Sequence, residues 1–143
     1  MSDAEQPSPL CFIDTNIWLY AFIESQDKDK SALAKQVIQQ NNIVISTQVI
    51  NEICVNLIKK AKFDEASLQS LIESFYSECA VAIISREVLL KASVLRQRYQ
   101  FSFWDSLIVS CALSEGAVIL YSEDLDTSLV VENQLRIINP LIG

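Results

Sequence analysis

The sequence contains no histidine, and of its 143 residues only two are glycine and three are proline. Without histidine, Ser-His-Asp catalysis and imidazole-ligated metal sites are excluded. No repeat and no low-complexity segment is present. The four cysteines (Cys11, Cys54, Cys79, Cys111) form no C-x-x-C pair and have apolar neighbours, so they read as reduced, inert core thiols of an intracellular protein. A single domain of this length buries roughly two-thirds of the surface its unfolded chain exposes and needs neither disulfide nor structural zinc. Long hydrophobic runs are missing too. The longest, such as residues 117–121, fall far short of the ~20 residues of a membrane span, and no basic-then-apolar signal opens the chain. A cytoplasmic protein that does not touch membranes is expected. Basic residues are few, 11 against 18 acidic ones, for a net charge of −7. That argues against coating nucleic acid by bulk charge but leaves room for a local basic patch.

What is present is a succession of short apolar runs and amphipathic stretches. Residues 1–9 are polar, carry Pro7 and Pro9, show no period and read as a flexible leader, so the domain is expected over residues 10–143. Buried strands are expected at residues 10–13, 43–45, 80–84, 117–121 and 135–138. Helices are expected at 31–40, 47–61, 64–77, 86–99 and 103–115. The clearest is 47–61, where Val49, Ile50, Ile53, Cys54, Leu57, Ile58 and Ala61 form one stripe. Gly116 suits a left-handed cap at the end of the last helix. Strands alternating with helices imply an α/β fold: a mostly parallel sheet of about five strands covered on both faces in three layers.

In such a sheet ligands bind beyond the carboxyl ends of the strands. Asp14 closes the first strand and Asp124 follows the strand ending at Tyr121. Asp105 opens the helix that feeds that strand. Glu52 flanks the apolar stripe of its helix, where a long side chain reaches back toward the sheet edge. Each acid has an ordinary structural explanation. Ser102 and Asp105 make a variant capping box, and a carboxylate in a helix's first turn is favoured by the macrodipole. Asp124, with Glu123 and Asp126, fits a solvated turn. Asp14 is harder to explain so, because an acid ending an apolar strand is costly to bury without partners. Four carboxylates meeting at one edge repel one another and require a counter-charge. Oxygen-only ligation favours Mg²⁺ or Mn²⁺, which activates water and stabilises charge on a phosphoryl oxygen without a histidine base.

Phe12-Ile13-Asp14-Thr15-Asn16-Ile17, Asn51-Glu52, Trp104-Asp105-Ser106-Leu107-Ile108 and Ile119-Leu120-Tyr121-Ser122-Glu123-Asp124-Leu125-Asp126 occur in an order that resembles the PIN-domain family, and within it the VapC-like toxins of toxin–antitoxin pairs. The resemblance runs from Leu10 to about Pro140. It implies a PIN-like fold with Asp14, Glu52, Asp105 and Asp124 as the acidic quartet binding Mg²⁺ or Mn²⁺ for endonucleolytic cleavage of RNA. Asp126 matches a further acid, and Asn16 and Ser122 match small polar residues that orient the ligands. Glu123 departs from the pattern, standing where many relatives carry Arg or Asn. The resemblance also implies a homodimer and a co-encoded antitoxin.

An RNA substrate must meet positive charge somewhere. Net charge is −4 over residues 1–52, +2 over 53–104 and −5 over 105–143. Lys59 and Lys60 lie about 11 Å along the helix from Glu52, on its flank, and Lys62, Arg96 and Arg98 extend that basic set. The competing explanation is a solvated helix end whose lysines complement the dipole. Trp104 is placed to stack a base or, more in keeping with its apolar bulk, to pack in the core or a dimer interface. The function expected is a metal-dependent endoribonuclease, the toxin of a toxin–antitoxin pair. The alternative is a catalytically weak PIN-like domain acting by RNA or protein binding. A phosphatase of haloacid-dehalogenase type is disfavoured, because Asn16 stands where that pattern places its second Asp.

Overall fold

Each of the five expected apolar runs contributes a strand, and a two-residue strand joins them. The computed structural model describes residues 9–142 except 26 and 41, so the expected leader lies outside the described residues apart from Pro9. The elements are β1 (Leu10–Ile13), α1 (Thr15–Phe22), α2 (Lys28–Gln40), β2 (Asn42–Ser46), α3 (Thr47–Ala61), α4 (Glu65–Glu78), β3 (Ala80–Ala82), α5 (Arg86–Arg98), α6 (Phe103–Ser114), β4 (Ile119–Tyr121), β5 (Val130–Val131) and β6 (Leu135–Ile138). Among the described residues the sheet has six strands in the order β3-β2-β1-β4-β6-β5, every pair parallel except β5 with β6.

The chain steps outward from β1 through β2 to β3, then returns to the other side of β1 with β4. Right-handed crossovers therefore put α1–α4 on one face and α5–α6 on the other, completing the three layers. Contacts agree with this placement: the Trp18 and Phe22 rings of α1 both meet Phe75 of α4, and α5 packs on α6. The central strand is sealed from both sides, with Phe12 and Ile13 fully buried beside Val44 and Ile45 of β2 and Leu120 of β4.

Four helices begin where the sequence supplies a cap. Ser46, Asp64, Ser85 and Ser102 accept from the backbone N–H groups of Val49, Ser67, Val88 and Asp105. Gly116 takes φ +81° after α6, the left-handed conformation that glycine adopts without steric cost. Four expectations need correction, the simplest being the strand expected over 117–121, which begins at Ile119. α1 is unassigned by sequence because Ile17, Trp18, Leu19 and Ala21 bury it nearly all round, which erases the polar face that makes a period visible. α2 starts at Lys28 rather than Ser31, its first turn held by Asp27, whose Oδ1 accepts from the N–H groups of Asp29 and Lys30. The strand expected over 80–84 ends at Ala82, leaving Ile83 exposed.

Candidate functional site

The pairing of β1 with β4 sets Ile13 beside Tyr121, and the Asp14 N–H extends the ladder by donating to the Tyr121 carbonyl at 2.9 Å. Asp14 and Ser122 thus emerge together where the strand order reverses, the place where open α/β sheets bind ligands. Asp14 caps α1: its Oδ1 accepts from the Thr15 N–H at 2.7 Å and its Oδ2 from the Ser122 hydroxyl at 3.0 Å. The Ser122 Oγ in turn accepts from the N–H groups of Asp124 and Leu125, both at 3.3 Å, so one hydroxyl ties the first acid to the loop bearing another. Asn16 Nδ2 donates to Asp124 Oδ2 at 3.0 Å.

Glu52 comes from the middle of α3, aimed by the Ser46 cap. It is half-buried, and Thr15 Oγ1 donates to its Oε1 across a long 3.5 Å. Asp105 rides in the first turn of α6, where its N–H donates to Ser102 Oγ at 3.1 Å, so the capping role and a place at the site coexist. Asp105, Asp124 and Asp126 line one hollow of about 290 Å³ with Tyr99 and Phe101. Glu52 lines a neighbouring cleft with Trp104.

Electrostatics separate Asp14 and Glu52 from ordinary surface acids. The Asp14 carboxyl is pushed up from 3.8 to about 6, first by burial and further by the charges of Asp105 and Asp124, against the pull of its bonds to Thr15 and Ser122. Glu52 is raised too, by burial and the charge of Asp105, while hydrogen bonds with Thr15 and Gln48 lower it. Among the described residues no cationic side chain forms an ion pair with Asp14, Glu52, Asp105 or Asp124. Nor are three or more acids already gathered as a closed metal cage there. An edge of mutually repelling carboxylates with hard oxygen donors nevertheless fits an ion such as Mg²⁺, which takes one or two carboxylates and keeps its waters. Asp14, Glu52, Asp105 and Asp124 are the residues that would hold it, with Asp126 at the rim.

Several functional side chains were not legible in sequence. Thr15 reaches both Asp14 and Glu52, and only its position between Asp14 and Asn16 hinted at it. Glu123, which stood out as extra charge, turns to Lys30 (2.7 Å) and accepts from the Tyr20 hydroxyl at 3.0 Å. Its charge is answered at the flank of the site by α1 and α2. Trp104, expected in the core or a dimer interface, is not in the core; 63% of it is exposed. Lys59, Lys60 and Lys62 are exposed at the end of α3. Arg96 instead donates to Ser106 Oγ at 2.6 Å and covers the Phe103 ring, and Arg98 pairs with Glu132 at 3.2 Å. The cysteines are free, and burial pushes the thiols of Cys11 and Cys111 up to about 12, which leaves them unreactive.

The family model of the PIN domain matches residues 11–132. No curated protein matches the chain. Solved structures share the fold, among them the following three. VapC20 of Mycobacterium tuberculosis, a sarcin–ricin loop cleaving toxin, is 17% identical with a TM-score of 0.66 over 81% of this chain and 91% of its own. A toxin–antitoxin complex from Klebsiella pneumoniae is 20% identical with a TM-score of 0.68, over 91% and 97%. VapBC2 of Rickettsia felis, bound to a DNA fragment from its promoter, is 23% identical with a TM-score of 0.62, over 91% and 99%.

Proposed function

The chain belongs to the PIN-domain family, and we propose that it is a Mg²⁺- or Mn²⁺-dependent endoribonuclease, the toxin of a toxin–antitoxin pair. The observation that carries this reading is Asp14, buried at the strand switch point without an ion-pair partner among the described residues, with the Asp124 loop tied to it through Asn16 and Ser122, Glu52 tied to it through Thr15, and the charge of Asp105 acting on both Asp14 and Glu52. A divalent ion held by Asp14, Glu52, Asp105 and Asp124 would supply the missing counter-charge, lower the pKa of a water and stabilise charge on a phosphoryl oxygen. The chain's own residues fix the ligands: Ser122 and the Thr15 N–H aim the two Asp14 oxygens, Asn16 steadies Asp124, and Thr15 and Gln48 hold Glu52. Lys59, Lys60 and Lys62 are the cations this reading assigns to the RNA backbone. A homodimer and an antitoxin belong to the same proposal, supported by the fold shared with toxin–antitoxin complexes.

The test is cleavage of structured RNA by the purified protein with Mn²⁺ or Mg²⁺. Asp14→Asn and Asp105→Asn are each expected to lower the rate at least about 100-fold, on the scale of losing one strongly placed electrostatic group. Unchanged cleavage by either variant sinks the mechanism. The alternative, a PIN domain acting by binding alone, draws on the acids not being pre-gathered, and it requires that Mn²⁺ titration show no saturable site.

A further inference from the structure

Exposing a tryptophan at the mouth of a polar cleft needs a reason, because its apolar surface is normally hidden. Trp104 is 63% exposed in the first turn of α6 and meets the Phe103 ring edge-on, with centroids 5.5 Å apart. Phe103, itself 55% exposed, is covered by the Arg96 guanidinium at 4.4 Å. Arg96 is fixed by the Ser106 hydroxyl, which donates to the Phe103 carbonyl at 2.6 Å. The indole is therefore braced from behind. Its cleft, of about 470 Å³, is completed by Thr47, Gln48, Asn51 and Glu52, a volume within the usual range for small-ligand sites.

We propose that this cleft seats one unpaired nucleobase of an RNA strand, stacked on Trp104 and read along its edge by the side-chain amides of Gln48 and Asn51. The inference rests on the ribonuclease reading and adds to it the side chains that seat one base, Trp104, Gln48 and Asn51. The chemistry of the lining selects a base over a phosphate. Among the described residues no lysine or arginine lines the cleft, whereas Asn51 offers a donor pair and an acceptor, and Gln48, one N–H of which holds Glu52, still offers its other N–H and its carbonyl, the complement of a base edge. An indole stacks on any base, and a base already paired within a helix has its faces covered. Placement completes the argument. Trp104 lines the cleft of Glu52 while the next residue, Asp105, lines the hollow of Asp124 and Asp126, so a base on Trp104 carries its own phosphate to the acids.

Single-stranded RNA is titrated in EDTA, where a metal-dependent enzyme does not cleave, and binding is followed by tryptophan fluorescence and by anisotropy of labelled RNA. Wild type is expected to show quenching, Trp104→Phe to bind within about threefold of wild type, and Trp104→Ala to bind about 5- to 100-fold more weakly. With Mn²⁺ present, Trp104→Ala raises KM for single-stranded RNA and leaves kcat within about threefold of wild type, the pattern of a lost binding contact away from the reacting atoms. The double variant Gln48→Leu/Asn51→Leu flattens the preference among four oligonucleotides differing at one base. Wild-type affinity in Trp104→Ala overturns the proposal, and so does an affinity loss accompanied by a changed oligomeric state in sedimentation, which would make Trp104 a protein contact. Unaltered base preference in the double variant overturns the assignment of the amides. Normal cleavage with an unresponsive Trp104 sinks the cleft alone; quenching by RNA without any Mn²⁺- or Mg²⁺-dependent cleavage sinks the ribonuclease reading alone.

Discussion

Because burial and neighbouring carboxylates raise Asp14 from 3.8 to about 6, the folded protein keeps a proton there that the unfolded chain releases near pH 4. Stability contributed by this group therefore falls as pH rises from about 4 to 6, and above pH 6 the ionised carboxylate costs the metal-free fold about 3 kcal/mol. Asp14→Asn is expected to raise the melting temperature in EDTA at pH 7.5, with the gain vanishing below about pH 4. A lower melting temperature at pH 7.5 would mean that the bonds from Thr15 and Ser122 outweigh the burial. Asp14 was legible in sequence because it ends an apolar strand, where an acid has few cheap explanations. Thr15 was not, since its link to Glu52 spans 37 positions and exists only once α3 lies against α1. The partner of Glu123 was hidden for the same reason, with Lys30 on a helix whose first turn the periodicity missed.

At the level of elements, the capped helices with an amphipathic period were readable, and α1, capped by Asp14 but buried nearly all round, was not. Ser or Asp before an amphipathic stretch located α3 to α6 to within a residue or two, whereas α1 offered no polar face and β5 spans only two residues. The cap of α6 also carries a functional load, since Ser102 orders the turn that holds Asp105. Ser102→Ala is expected to cost about 1 kcal/mol, seen as a fall of about 3–5 °C in melting temperature, together with slower cleavage, and Ser102→Thr to keep both. A second link joins α2 to the loop after β4 through Lys30 and Glu123. Glu123→Lys should slow Mn²⁺-dependent cleavage by misplacing Asp124, and adding Lys30→Glu should restore part of the rate. If the reversed pair recovers nothing, the Tyr20 hydroxyl rather than the charge positions the loop.

For the molecule as a whole, the net charge of −7 first pointed away from nucleic acid. The proposed function changes its meaning, because it assigns four of the eighteen acids to a divalent ion that would offset them, while Lys59, Lys60 and Lys62 lie exposed at the far end of α3. The outer face of α5 leaves Leu89, Leu90 and Val94 exposed, with Ile83 just before it, more apolar surface than a lone soluble chain usually gathers on one helix. The proposed homodimer is expected to use this face. Sedimentation should find a dimer for wild type and a monomer for Leu90→Glu; a dimer in both would move the interface elsewhere. The ladder bond from Asp14 to Tyr121, and the similar one from the Ser122 N–H to the Ile138 carbonyl, have a last consequence. They set the inner half of the site into the strands of the sheet, while Asp124 and Asp126 lie exposed on a loop held to the site by side chains, through Ser122, Asn16 and the Lys30–Glu123 pair. Hydrogen exchange is then expected to be slowest at the Asp14 amide and faster along the loop of Asp124, so that in the proposed enzyme the anchoring acid would keep its place whatever that loop does.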